Sequence, residues 1–194
     1  MAPLAKKMNE KYTYADYLTW DDDTRWELIE GVPYDMTPAP NSDHQAVSGE
    51  LFGIIWLFLK QRPCRVFAAP FDVRLIEKSD ADDSEVTTVV QPDIVVICDE
   101  KKIDKGGCLG TPDIVVEILS PSTAYKDEGE KLKLYQKHGI KEYWIVNPEA
   151  RYIMIYRLEN SKYGKPEYLT ENETLESRVL EGLRIELSEV WSKV

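Results

Sequence analysis

The pentapeptide Pro-Asp-Ile-Val-Val occurs twice in this chain, and its second copy runs into a glutamate within an apolar stretch. The aspartates of the two copies are Asp93 and Asp113, and Glu117 follows the second. Side chains alternate between the two faces of a strand, so Glu117 shares a face with Val115. A lone ionised carboxylate among aliphatic neighbours is costly, and it is normally paired, protonated or bound to a metal.

The loop between the two copies contains glycines, which allows the copies to form neighbouring antiparallel strands. The start of the first strand then lies beside the end of the second, so Asp93 comes near Glu117. Asp113 goes to the far end, where it is expected to cap a loop beside Pro112. Two carboxylates at adjacent strand ends suit Mg²⁺, with Mn²⁺ as a substitute. The chemistry indicated is metal-assisted phosphodiester hydrolysis, and a salt-bridged structural pair is the alternative.

Composition predicts one globular domain. The chain has 194 residues, of which 43% are hydrophobic and 30% are charged, which is enough to bury a core. We expect a flexible tail over residues 1–12 and a single domain over 13–194. No apolar run is long enough for a membrane span or a secretory signal, which favours a cytoplasmic protein without a membrane partner. The three cysteines are odd in number and lack metal-ligand spacing, so we expect neither a disulfide nor structural zinc.

The net charge of −11 argues against broad, nonspecific attraction to nucleic acid. It is compatible with a local basic patch, or with metal ions that neutralise acidic groups in a site.

The elements that must position these residues follow from periodicity and capping signals. We predict a short helix at 13–20 capped by Thr13, a hairpin around Gly31, a helix from Ser42 to Lys60, and strands at 65–76, 87–98 and 112–120 that form a meander. A helix from about Thr123 to Gly139, a buried strand at 141–148, a hairpin over 151–170, and a strand at 183–191 running into a short helix opened by Ser188 complete the order. This order predicts an α/β fold with a sheet between helices.

Several motifs together resemble the Uma-two family of restriction endonucleases, which is placed within the PD-(D/E)XK nuclease superfamily. They are ELIEG, a downstream His44, QPDIVVI, PDIVVEILSPST and KDEGEKLKLYQKHGIKEYWIVNP. The resemblance extends from Trp26 to the terminal GLRIELSEVW, and its most specific part is Pro112–Pro148. It implies a restriction-endonuclease-like core, with a mixed β-sheet flanked by helices, an N-terminal β-hairpin and a C-terminal β extension.

The resemblance also implies a site and a substrate. The protein would be a Mg²⁺-dependent DNA endonuclease, with Asp93 and Glu117 as metal ligands and the backbone carbonyl of Ile118 as a further one. The chain departs from the superfamily pattern because Leu119 stands where a lysine is expected.

The helix after the strand could supply the missing cation, because Asp127, Lys131 and Tyr135 follow at i, i+4 and i+8 on one face. We predict that Lys131 orients the attacking water or stabilises phosphate charge. In the alternative, Asp127 and Lys131 form an exposed helix pair and Tyr135 packs in the core.

Three more polar residues are candidates for the site. Glu30, beside the hairpin turn, could be a third acid, or simply a turn carboxylate. His44 and Gln45, near the start of the first long helix, could touch a phosphate or a metal-bound water, or they could be an ordinary polar helix start.

Two other functions compete with the endonuclease. The missing lysine and the negative charge favour a nuclease-fold module that binds nucleic acid or protein without catalysis. Metal-dependent hydrolysis of a different phosphoester is the other alternative. A homodimer is expected if both DNA strands are cut together, because two sites are then needed.

Overall fold

The computed structural model describes residues 10–21, 24–36, 39–78, 81–121 and 124–193. The strands are β1 Trp26–Ile29, β2 Val32–Asp35, β3 Arg65–Ala68, β4 Val73–Arg74, β5 Val89–Val90, β6 Ile94–Ile97, β7 Ile103–Asp104, β8 Gly107–Leu109, β9 Ile114–Ile118, β10 Glu142–Asn147, β11 Tyr152–Glu159, β12 Lys162–Tyr163, β13 Glu167–Thr170, β14 Thr174–Glu176 and β15 Arg184–Glu186. The helices are α1 Tyr14–Tyr17, α2 Ser42–Leu59, α3 Ala124–Lys126, α4 Leu132–Lys137 and α5 Leu187–Val190, with 3₁₀ turns at Glu100–Lys102 and Trp191–Lys193. A π-helical turn, Asp127–Lys131, joins α3 to α4.

The main sheet has the strand order β12-β11-β10-β9-β6-β3, and β13 also pairs with β11. The β9–β10 pair is parallel and the other pairs are antiparallel, so the sheet is mixed, as predicted. A second sheet has the order β2-β1-β5-β4-β8-β7 and contains the N-terminal hairpin, while β14 and β15 form a separate hairpin. The predicted meander of β3, β6 and β9 is confirmed. Strand β9 pairs with β6 on one side and with β10 on the other.

Apolar side chains cover both faces of the main sheet. On one face, Val47 and Leu51 of α2 pack in one cluster with alternate strand residues such as Val116. On the other, Leu134 of α4 packs in a second cluster that includes Val115. Each such side chain contributes about 1.5–3 kcal/mol when it is fully buried. The predicted sheet between helices is therefore confirmed. Its central strands are packed against apolar side chains on both faces.

Two predicted strands are each divided in the structure. Residues 65–76 supply β3 to the main sheet and β4 to the second sheet, and residues 87–98 supply β5 and β6 to the same two sheets. The breaks contain Pro70 and Pro92. Proline has no N–H to give to a strand ladder, so it marks the place where the chain leaves one sheet for the other.

The helix boundaries mostly follow the capping signals. Thr13 and Asp16 form a complete capping box at α1. The N-cap of α2 is Asn41, one residue before the predicted Ser42, and its side chain accepts a hydrogen bond from the N–H of His44 at 2.9 Å. Helix α5 begins at Leu187, one residue before the predicted Ser188.

Some predictions concern residues outside the described part of the chain. These are residues 1–9 of the expected tail and the proposed helix start at Thr123. Of the remaining tail residues, Tyr12 donates its backbone N–H to the carbonyl of Gly31 at 2.9 Å, which fixes it against the hairpin. Within the described residues, no helix combines the length and apolar character needed to cross a bilayer.

Cys64 and Cys98 form a disulfide, so the prediction that the chain has none was wrong. The reason lies in strand pairing. Arg65 of β3 lies opposite Ile97 of β6, so the residues that flank this pair face each other across the ladder. An odd cysteine count shows that at least one thiol is left over, and says nothing about the other two. The remaining thiol, Cys108, is buried.

Candidate active site

Asp93 and Glu117 meet at one end of the β6–β9 pair, as the sequence predicted. Ile94 lies opposite Val116, and continuing this antiparallel register places Asp93 across from Glu117. The backbone N–H of Ile118 donates to Oδ2 of Asp93 at 2.7 Å, which locks the end of one strand to the start of the other. Both carboxylates line a cavity of about 410 Å³.

Asp113 lies at the opposite end of the same strand pair. Its carboxylate accepts hydrogen bonds from the backbone N–H of Cys98 at 2.7 Å and from Nζ of Lys141 at 2.6 Å. It lies at the far end from Glu117, as expected, where it caps the end of β6. The two aspartates of the repeated pentapeptide therefore have different environments.

Lys131 and Tyr135 reach Glu117 from the helical segment that follows β9. Oε1 of Glu117 accepts hydrogen bonds from Nζ of Lys131 at 2.9 Å and from the Tyr135 hydroxyl at 2.7 Å. Nζ of Lys131 also lies 3.7 Å from Asp127. Asp127 and Lys131 are each only 3% exposed, which excludes the alternative of a solvated pair on the helix surface.

The π-helical turn between α3 and α4 contains both Asp127 and Lys131. Its backbone is tied to the sheet, since the hydroxyl of Tyr143 on β10 donates to the carbonyl of Asp127 at 3.0 Å. Such turns are rare and often occur at functional sites. Here the turn brings Lys131 to Glu117, whereas the residue directly after β9 is Leu119.

Glu27 of β1 is the acid that the N-terminal hairpin supplies to the cavity. Its Oε1 lies 2.8 Å from Nζ of Lys131 and accepts the backbone N–H of Gln91 at 3.0 Å, while its Oε2 lies 3.7 Å from Lys126. Glu27 is 1% exposed. Lys131 therefore contacts Glu27, Glu117 and Asp127 at once.

Glu30, the residue predicted for this role, lies elsewhere. It is in the hairpin turn with a positive φ of 50°. Its side chain is 62% exposed and pairs with Lys137 at 3.2 Å, outside the cavity that holds Asp93. Strand β1 pairs with both β2 and β5, and residues 27–29 are all buried, so simple alternation does not identify the inward residue. A signal was present in the sequence, because Glu27 sits between two apolar residues.

The charges in this cluster change one another's protonation. Burial raises the pKa of Glu117 to about 8. The charge of Lys131 lowers this pKa, and the negative charges of Asp127, Asp93 and Glu27 raise it. Burial alone would lower the pKa of Lys131, but the three carboxylates it contacts raise it well above its usual value. Burial alone would raise the pKa of Glu27, but the charge of Lys131 and its hydrogen bond outweigh burial, so the pKa of Glu27 is lowered.

His44 reaches the site from the first turn of α2. Its Nε2 lies 3.2 Å from Oδ2 of Asp93, and the residue is 6% exposed. Its Nδ1 is buried and has no hydrogen-bond partner among the described residues. His44 thus contacts the carboxylate on the side facing the helix. Gln45 does not line the cavity that holds Glu117, and lines instead an adjoining cleft that shares Asp93.

The donor atoms in the cavity fit Mg²⁺. Among the contacts of the described residues, Oδ1 of Asp93 and Oε2 of Glu117 have no hydrogen bond, so each carboxylate keeps one free oxygen. The described part of the chain contains no group of three His, Cys, Asp or Glu side chains arranged to hold a metal. Mg²⁺ needs only one or two protein carboxylates because it retains several waters.

The α/β fold, with its mixed sheet between helices, thus holds a buried cluster of acids around one lysine. A family profile described as "Uma2: Putative restriction endonuclease" matches residues 14–188. The chain belongs to the Uma2 family, which confirms the resemblance seen in the sequence, and the family description supports a nuclease-like function.

Individual proteins are also similar to this chain. The uncharacterized protein slr1290 of Synechocystis is 25% identical over 149 residues, which cover 75% of this chain and 74% of that protein. The crystal structure of a protein from Anabaena variabilis, titled a putative nuclease belonging to DUF820, superposes with a TM-score of 0.74 at 21% identity. The match covers 94% of this chain and 98% of that one, and it confirms the predicted fold.

Proposed function

We propose that this protein is a Mg²⁺-dependent endonuclease that hydrolyses phosphodiester bonds in DNA. The observation that carries the proposal is the meeting of Asp93 and Glu117 at adjacent strand ends, with Lys131 donating to Glu117 from the following helix. Membership of the Uma2 family supports the same reaction class.

Asp93 and Glu117 would hold the metal, together with the backbone carbonyl of Ile118. When bound by these groups, Mg²⁺ would supply charge stabilisation for the phosphodiester and would lower the pKa of the attacking water. His44 holds Asp93 through Nε2, and the N–H of Ile118 holds the same oxygen, so this carboxylate is fixed on two sides. Such positioning lowers the reorganisation needed during reaction.

Lys131 supplies the positive charge that Leu119 cannot. It is anchored by Glu27 and Glu117 and lines the same cavity, so its ammonium group can orient water or stabilise the phosphate. Tyr135 fixes Glu117 from the same helix face. Glu27 takes the role of third acid that the sequence had suggested for Glu30, and acts through Lys131.

Cleavage of supercoiled plasmid tests this proposal. We expect nicking by the wild type with Mg²⁺ or Mn²⁺ and none with EDTA, and loss of nicking in Asp93→Asn and Glu117→Gln. Cleavage that persists in EDTA would overturn the metal mechanism. DNA binding without cleavage under any divalent cation would instead support the catalytically inactive module. Cleavage of RNA or nucleotides alone would point to a different phosphoester substrate.

A further inference from the structure

Arg25 lies where the acidic cavity meets a second cleft. This second cleft, of about 210 Å³, is lined by Gln45, Ser48 and Gly49 of α2 and by Ala68 and Ala69 at the end of β3. Arg25, Pro40 and Asp93 line both spaces. The two are therefore adjoining parts of one groove.

The guanidinium of Arg25 is held by a neutral amide. Oε1 of Gln91 accepts hydrogen bonds from Nε at 3.1 Å and from Nη2 at 2.8 Å of Arg25. Gln91 is itself fixed, because its Nε2 donates to Asp72 at 2.7 Å and to the Tyr17 hydroxyl at 3.2 Å. Gln91 is 6% exposed. The arginine is thus oriented before any ligand binds.

The charge of Arg25 is not neutralised by the described residues. Lys126 and Lys131, the other cations that line the cavity, both pair with Glu27. Across the described ranges, no carboxylate lies within 4.0 Å of the Arg25 guanidinium, and its Nη1 has no hydrogen-bond partner. An arginine has five N–H donors in a planar fork that suits phosphate. Here two nitrogens bind Gln91, and the remaining donors and the full charge stay available.

We propose that Arg25 binds a backbone phosphate next to the scissile one, and that the nucleic-acid strand leaves the acidic cavity along the cleft between α2 and the end of β3. This inference rests on the proposed endonuclease function and adds a strand path to it. The path explains why the predicted contact residue Gln45 lies in the cleft and not beside Glu117. Small residues line much of this path, Gly49, Ala68 and Ala69 among them, which leaves width for a sugar-phosphate chain.

Binding without metal tests the proposal separately from catalysis. Fluorescence anisotropy in EDTA would measure the affinity of short labelled DNA and RNA, single-stranded and duplex, for the wild type, Arg25→Gln, Arg25→Lys and Arg184→Gln. Arg184 is an exposed arginine on β15 that pairs with Glu176, so its substitution controls for net charge. Circular dichroism and thermal unfolding would check that each variant is folded.

We expect Arg25→Gln to bind about tenfold more weakly, and its slope of log affinity against log salt between about 50 and 200 mM to fall by about one. Arg25→Lys should retain the slope, because it retains the charge, and Arg184→Gln should match the wild type. Unchanged affinity and slope in Arg25→Gln would overturn the proposal. So would loss of the slope in Arg25→Lys, which would indicate a packing defect, or absence of binding by the wild type to every nucleic acid.

The cleavage assay then tells the two proposals apart. A wild type that binds through Arg25 but cleaves no substrate would leave the phosphate contact standing and refute the nuclease. A wild type that cleaves DNA, with an Arg25→Gln variant that binds as tightly as the wild type, would support the nuclease and refute the phosphate contact.

Discussion

The backbone N–H of Ile118 donates to Oδ2 of Asp93 at 2.7 Å, and this bond joins the two halves of the acidic pair. Glu117 is the residue before Ile118, so the distance between the two acids is set by the strand ladder and not by a mobile loop. Two rigid strands thus hold the carboxylates before any metal binds, which is how a preorganised site is built.

Asp93→Asn and Glu117→Gln should each lower DNA cleavage by about 100-fold or more. Metal-ion stabilisation of a transition state is worth several kcal/mol, and 1.4 kcal/mol is a factor of ten in rate. Both substitutions keep the shape of the side chain and remove its charge. Initial rates of plasmid nicking at saturating Mg²⁺ would measure the loss.

Asp113→Asn is the matched control, because it changes the same position of the other pentapeptide copy. Its carboxylate binds the N–H of Cys98 and Lys141, so we expect a loss of about 1–3 kcal/mol in unfolding free energy and nearly normal cleavage. Equal loss of activity in Asp113→Asn and Asp93→Asn would contradict the assignment of the two aspartates.

Lys131→Met should destabilise the protein by about 3–5 kcal/mol and abolish cleavage. The substitution leaves Glu27, Glu117 and Asp127 buried without their shared cation, and removing one partner of a buried ion pair is costly for that reason. Urea unfolding would measure the stability, and plasmid nicking the activity. Lys133 is an exposed lysine two residues further along the chain, so Lys133→Met is the control and should change stability and cleavage little.

The double variant Lys131→Met with Glu117→Gln separates charge from packing. Removing one of the stranded carboxylates should restore part of the lost stability, so the two effects should not add. Additive losses, or a Lys131→Met protein as stable as the wild type, would show that the three acids do not depend on this lysine.

The sequence predicted the pairing of β6 with β9 because its signals were local. Alternation placed Glu117 with Val115 on one face, and the glycines between the strands allowed an antiparallel connection. Helical spacing likewise predicted that Asp127, Lys131 and Tyr135 share a face. Each of these inferences uses neighbours within one or two elements, where periodicity is informative.

The parts that the sequence did not predict depend on contacts between distant segments. Residues 27–29 of β1 are all buried, so alternation around Gly31 does not identify the one that faces the cavity. The position of Glu27 depends on its contacts with Lys131 and Gln91, which are distant in the sequence. The bond between Cys64 and Cys98 joins residues 34 positions apart, and it follows from the pairing of β3 with β6. The π-helical turn has no recognised sequence signal, and the sequence predicted only that Lys131 would supply the missing cation.

Tyr135→Phe should destabilise the protein by about 1.5–3 kcal/mol, because it removes a buried hydrogen bond to a carboxylate while keeping the ring. Cleavage should fall less than in Glu117→Gln, since the acid itself remains. Tyr125→Phe, at a position that is 92% exposed, is the control for loss of a tyrosine hydroxyl. Equal stability of the two variants would mean that the Tyr135 hydroxyl does not support Glu117.

Thiol counting should distinguish the three cysteines. The native protein at pH 8 should react with no thiol reagent, because Cys64 and Cys98 are bonded and burial raises the pKa of the Cys108 thiol to about 12. Denaturation without reductant should expose one thiol per chain, and denaturation with reductant three. A disulfide that closes a 34-residue separation reduces the conformational entropy of the unfolded chain, which should stabilise the folded protein by about 4 kcal/mol. Three reactive thiols before reduction would show that the disulfide is absent.

The raised pKa of Cys108 also predicts how stability depends on pH. The thiol titrates near 9 when unfolded and near 12 when folded, so the folded state holds its proton over that interval. Its contribution is therefore complete below pH 9 and is lost as the pH rises toward 12. Cys108→Ala should remove this dependence while keeping the disulfide, and urea unfolding of both proteins between pH 8 and 11 would measure it. Parallel stability curves for the two proteins would indicate that this thiol ionises as easily in the folded chain as in the unfolded one.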